Sequence, residues 1–151
     1  MSRSGYSDDC NGWEHVMWRG AVKRAIRGKR GQALLKELET ALLALPKKEL
    51  CADSFASAEK GEVCALGAVA LKRRLDKGMS LPDALKEIEE KYPEGYSAEA
   101  IAEEVDIAGA LLKEITYIND ESVYGAGGVT QREKRFREVL SWVQSQIKAE
   151  A

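Results

Sequence analysis

Nine consecutive residues, Val63-Cys64-Ala65-Leu66-Gly67-Ala68-Val69-Ala70-Leu71, carry no charged or strongly polar side chain. Charges close the run at both ends, Glu62 before it and Lys72-Arg73-Arg74 after it. Wound as a helix the run is apolar on every side, and such a helix is stable in water only when other elements surround it. Gly61 supplies a turn into it. Glu62 then falls at the positive end of the helix dipole and the three cations at the negative end, the favourable order for both. Ala65, Gly67, Ala68 and Ala70 keep the backbone thin, so neighbouring helices pack close. The rest of the chain has to supply those neighbours.

The other segments have the pattern for it. Leu34, Leu35, Leu38, Ala41, Leu42 and Leu45 form an apolar stripe at helical spacing, ended by Pro46. Upstream, a helix from Trp13, capped by Asp9 or Asn11, places Met17, Trp18, Ala21, Val22, Ala25 and Ile26 on one face. Arg19, Lys23, Arg27 and Arg30 fall on another face, and Gly28 and Gly31 mark a turn around Lys29-Arg30. After the core helix, Lys77-Gly78 is a stop. Ser80 then caps a helix with Pro82 in its first turn and Leu81, Leu85 and Ile88 inward, running to about Lys91. Tyr92 to Gly95 is a turn. Ser97 caps a helix holding Ile101 and Val105, and Ile107 to Asn119 continues helical through Leu111, Leu112, Ile115 and Ile118. Asp120 to Val129 is a loop ending in Gly125-Ala126-Gly127-Gly128. Thr130 with Glu133 is a capping box that opens the last helix, with Phe136, Val139, Leu140, Val143 and Ile147 at helical spacing.

The expected architecture is all-α: one compact domain, residues 1–151, of about six helices around a buried central helix, Val63 to Leu75. Residues 1–12 form a loose N-terminal arm, and residues 47–61 leave room for one short β-hairpin. At 151 residues with 44% apolar composition the chain is long enough to bury a substantial core. No run approaches the roughly 18 apolar residues that span a bilayer, so a membrane partner is not expected. Met1 to Asn11 has no apolar signal region. Three cysteines, Cys10, Cys51 and Cys64, are an odd number, which reads as a reduced, cytoplasmic protein rather than a disulfide scaffold.

Charge is divided along the chain. Residues 1–36 hold eight cations against three acids, a net +5, and residues 83–121 hold three cations against twelve acids, a net −9. Either the two regions meet different partners or they face each other. The densest cationic segment is Arg19, Lys23, Arg24, Arg27, Lys29 and Arg30, with no acid between Glu14 and Glu37. Such a segment can neutralise nucleic-acid phosphates, or steer the chain to an acidic protein surface while aromatic anchors hold the complex. Trp18 and Tyr124, at the edges of their apolar patterns, are the candidate anchors. The sequence pI of about 5.6 weighs against nucleic acid as the main partner.

Nothing in the sequence assembles a catalytic, cofactor or metal site. His15 adjoins Glu14, but no nucleophile or oxyanion hole goes with it, and adjacent helical residues diverge. Cys10, His15, Cys51 and Cys64 lack the closely spaced ligand pairs of structural zinc sites. Gly125 to Thr130 precedes a helix whose amides can hold an anion. It follows no strand and carries no Gly-Lys-Ser/Thr, so it is read as a connector.

Gly61 to Ala68, Ile118-Asn119-Asp120-Glu121, the Arg-rich helix after Thr130, Trp18-Arg19-Gly20 and Arg27 to Gln32 together span most of the chain. In these segments the protein resembles an uncharacterised family of short bacteriophage- and prophage-encoded accessory proteins. The resemblance implies a non-enzymatic protein, acting in the cytoplasm of a bacterial host cell, that binds and modulates a host macromolecule such as a component of a defence system. A nucleic-acid-binding protein using residues 19–30 is the alternative.

Overall fold

The computed structural model describes residues 12–121 and 129–148, with side chains from Val16 to Glu121 and from Gln131 to Lys148. Seven α-helices appear among them: α1 (Gly12–Arg27), α2 (Lys29–Ala44), α3 (Ala65–Asp76), α4 (Leu81–Lys91), α5 (Ala102–Val105), α6 (Gly109–Glu121) and α7 (Val129–Gln146). A 3-10 turn, Ala98–Ile101, leads into α5. The only strands among the described residues are β1 (Ala56–Ser57) and β2 (Glu62–Val63), an antiparallel pair with Ala56 opposite Val63 and Ser57 opposite Glu62. The fold is thus all-α with one minimal hairpin, as the sequence leads one to expect.

α3 lies at the centre. It packs against α2 on one side and against α4 and α6 on others, while α2 also contacts α7 and α1 rests on α6. Every residue from Ala65 to Leu71 is buried. Leu35, Leu38 and Leu42 of α2, Leu85 and Ile88 of α4, Leu111, Leu112 and Ile115 of α6, and Val139 and Val143 of α7 belong to one continuous core with them. Burying each such side chain contributes roughly 1.5–3 kcal/mol, enough for the core to dominate the stability of the domain.

The helix boundaries differ from the sequence reading where the backbone meets a neighbour. α3 begins at Ala65 rather than at Val63, because Glu62 and Val63 extend into β2 and Cys64 becomes the N-cap. The Cys64 Sγ accepts the Gly67 N–H at 3.4 Å. The turn before the strand is made by Gly61, whose φ of 68° is open to glycine and strained for other residues. α2 starts at Lys29, so Gly28 alone breaks the chain between α1 and α2. Gly31 belongs to α2. A Cβ there would lie 1.9 Å from the Ala25 carbonyl oxygen, so this glycine permits helix contact rather than a turn. Helical structure does not run on from Val105 to Ile107, since Asp106 is left-handed at φ 48°. Residues 107 and 108 carry no regular secondary structure and link to α6. α7 begins at Val129, which puts Thr130 inside the helix rather than at the capping position. The Ser80 cap does form, with its Oγ accepting the Asp83 N–H at 3.3 Å. The proposed caps Asp9 and Asn11 lie outside the described residues.

Two contacts lock the hairpin region onto α3. Asn119, at the end of α6 and 1% exposed, accepts the Ala65 N–H through Oδ1 at 2.9 Å and donates through Nδ2 to the Cys51 carbonyl at 2.9 Å. One amide thereby satisfies an N-terminal N–H of α3, which has no partner within its own helix, and fixes the segment before the hairpin. The second is Gly67, where a Cβ would fall 1.9 Å from the Phe55 carbonyl oxygen. Gly67→Ala is therefore expected to destabilise the protein by about 1–3 kcal/mol or more, although alanine is the better helix former. Urea unfolding measures this directly. A midpoint equal to the parent's would mean that the Phe55 loop moves aside at no cost.

Candidate functional site

The cationic segment folds onto the second half of α1 and the first turn of α2. Val22, Ala25 and Ile26 turn inward as the spacing predicts, with Val22 buried and the other two half-buried. That orientation leaves Lys23, Arg24, Arg27, Lys29 and Arg30 exposed. Arg19 is held by the buried carboxylate of Glu114 on α6 at 2.8 Å, and Arg30 meets Asp106 at 3.1 Å at the surface. Lys23, Arg24, Arg27 and Lys29 form no ion pair among the described residues. Those two ion pairs, among the described residues, join the acidic middle of the chain to the basic head. Three other acids of that region pair away from the basic head: Glu99 with Lys113, and Glu87 and Glu104 with Arg74.

Apolar side chains continue this surface toward the start of α1. Val16 is 61% exposed and Met17 is 56% exposed. Met17 thus departs from the inward face that its spacing suggests, because no element among the described residues covers its side chain. Val16, Gly20, Lys23 and Arg27 follow one another along a single helical stripe. Of the two candidate anchors, Trp18 is half-buried against α6, with the Lys113 Nζ 5.2 Å from the ring centre, a cation–π distance. Tyr124 lies outside the described residues. Between the α1–α2 turn and residues 107–108 there is a recess of about 250 Å³, edged by Arg24, Lys29 and Arg30.

No family model, curated protein or solved structure matches the chain. Functional assignment therefore rests on its own residues.

The most heavily bonded polar cluster escaped the sequence reading. Arg74, placed there among the cations ending the core helix, is 7% exposed. Its Nη1 and Nη2 grip Glu104 at 2.7 and 3.1 Å, Nη1 also donates to the Ala70 carbonyl at 3.0 Å, and Nε reaches Glu87 at 2.9 Å. The Tyr92 hydroxyl donates to Glu104 at 2.8 Å. Next to it, Arg73 takes both oxygens of Glu37 at 2.7 Å and also donates to the Glu104 carbonyl. Burial alone would raise the Glu104 pKa, but hydrogen bonds from Arg74 and Tyr92 and the charges of Arg74 and Lys91 outweigh it and hold the group at about 2. Burial also raises the Tyr92 phenol, aided by its bond to Glu104. These partners satisfy one another inside the fold, so the cluster braces α3, α4 and α5 against each other. Leu75, expected inward, turns partly outward as Arg74 turns in.

The two described thiols are buried. Cys64 caps α3, and the Cys51 Sγ lies 3.6 Å from the Ser54 carbonyl as a weak donor. Cys10 and the side chain of His15 lie outside the described residues, and among the described residues no three His, Cys, Asp or Glu side chains gather as metal ligands. No described helix is long and apolar enough to cross a membrane.

Proposed function

We propose that this chain is a non-catalytic binding protein that docks an acidic protein surface on the exposed face of α1 and the start of α2. The observation that carries the reading is the set of Lys23, Arg24, Arg27 and Lys29, solvent-facing and without ion-pair partners in the described fold, beside exposed Val16 and Met17. Cations of this kind steer encounter and set specificity, while apolar contacts at the centre of an interface hold the complex. The likeness to phage accessory proteins makes a host macromolecule, such as a defence component, the expected partner. Nucleic acid is the second reading, favoured by six cations within residues 19–30. The acidic whole-chain balance and the apolar residues adjoining the patch favour protein.

Affinity capture from infected-host lysate, with and without nuclease, separates the two. Partners are expected to survive nuclease and to be lost with Arg24→Glu combined with Arg27→Glu. Both side chains are exposed, so the double variant is expected to melt within a degree or two of the parent. Surface substitutions of this kind usually change stability by less than about 0.5 kcal/mol. Binding to random duplex DNA that weakens steeply with salt, at about −0.9 in log–log slope per phosphate contact, would instead install the nucleic-acid reading.

A further inference from the structure

We infer that the cleft between the β-hairpin, α4 and the start of α7 is a binding site for a small ligand carrying a single anionic group, a carboxylate or a phosphate. The cleft encloses about 690 Å³, within the range of small-molecule pockets. α7 lines one side with Gln131, Arg132 and Arg135, and α4 and the turn after it line another with Glu89 and Glu94.

Arg135 is the deciding residue. It is 4% exposed, yet its only acceptor among the described residues is the Leu50 carbonyl, which Nη1 reaches at 3.1 Å. Its Nε is buried without any acceptor, and no carboxylate pairs with it among the described residues. A guanidinium has five N–H donors and a permanent charge, so burial with one neutral acceptor is strongly unfavourable. The same fold solves the same problem differently at Arg74, where Glu104, Glu87 and the Ala70 carbonyl take up the donors. At Arg135 the missing counter-charge has an open cleft to come from. Arg132 stands one turn earlier on the same helix, held by Glu62 at 2.8 Å, and Lys60 edges the opening. The dipole at the start of α7 adds to the attraction for an anion.

The far wall limits what the anion can belong to. Glu89 accepts the Ala58 N–H at 2.8 Å, and with Glu59 and Glu94 it makes that side acidic. A polyanion such as a nucleic-acid backbone would be repelled there. A ligand with one anionic end, and a neutral or cationic remainder, meets favourable charge on both sides. This site is remote in chemistry from the exposed cations of α1, which line none of it.

The test titrates the full-length chain with inorganic phosphate, acetate or glycine at constant ionic strength, following melting temperature and backbone amide shifts. Phosphate, or acetate and glycine, is expected to raise the melting temperature, because a ligand that binds only the folded state stabilises it. Amides of residues 131–135 are expected to move with it. A response to phosphate alone assigns a phosphate group, and a response to acetate and glycine assigns a carboxylate. Arg135→Met should weaken binding at least tenfold, and Lys60→Glu, at an exposed position, should weaken it severalfold without disturbing the fold. Arg24→Glu with Arg27→Glu should leave it unchanged. The inference is overturned if none of the three compounds shifts the melting temperature or those amides beyond a chloride control. Binding by Arg135→Met within twofold of the parent, or by Lys60→Glu within twofold if Arg135→Met does not fold, overturns it equally.

Discussion

Glu104→Ala is expected to destabilise the protein by about 3–5 kcal/mol, a large part of the roughly 5–15 kcal/mol that holds a domain of this kind together. The loss is not the worth of one surface ion pair, which is about 0–1 kcal/mol. It arises because Arg74 would remain buried with its main counter-charge gone, and because the Tyr92 hydroxyl and Lys91 would lose the same partner. Replacing both members, Arg74→Met with Glu104→Leu, should recover much of the stability, since an apolar pair of similar volume leaves no orphaned charge. Equilibrium unfolding in urea reads all three proteins. If the single variant loses no more than a surface substitution does, the cluster does not brace the fold.

The same carboxylate gives the protein a defined acid dependence. The folded pKa of Glu104 lies at about 2, below its ordinary 4.5. A depressed pKa means that the unfolded chain binds the proton more readily. The contribution is therefore fully present above the ordinary value and is lost as pH falls through the folded one. Stability should decline from about pH 5 downward, and Glu104→Gln should flatten that part of the profile by having lost the contribution already at neutral pH.

Ala68→Asp carries the other large effect. Ala68 is 1% exposed in the middle of α3, in the continuous core shared with α2 and α6. An aspartate there has neither space nor partner, and either its charge or its proton has to be accommodated in an apolar interior, at a cost of several kcal/mol. The variant is expected to melt far below the parent, or to be unfolded at 37 °C, by circular dichroism. A melting temperature within a degree or two of the parent would remove α3 from the centre of the fold.

Residues that act through their own neighbourhood were readable from the chain. The leucines of α2 declare a helix and its inward face because a 3.6-residue period is a local property. Ser80 caps α4 through a contact three residues long, and the apolar run around Ala68 has to be buried wherever the rest of the chain goes. The exposed cations of α1 were legible for the same reason: the inward face was set by Val22, Ala25 and Ile26, so Lys23 and Arg27 had to point away. Met17 broke the pattern because its exposure depends on whether another element reaches it, which periodicity does not contain.

Other features rest on pairs that no local pattern joins. Arg19 finds Glu114 across 95 positions and Arg74 finds Glu104 across 30. Asn119 ties Cys51 to Ala65 across 68 and 54. Gly31 looks like a turn residue in a list of residues and proves to be a place where two backbones touch, and the thin backbone at Gly67 admits the Phe55 carbonyl rather than a helix. Arg135 reads as one more surface arginine on the last helix until the Leu50 segment folds over it. Apolar periodicity is enough to say which faces must hide, since water penalises every exposed apolar face alike. Which charge is buried, and what answers it, depends on distances of a few ångströms between remote segments, and only the packed helices set those.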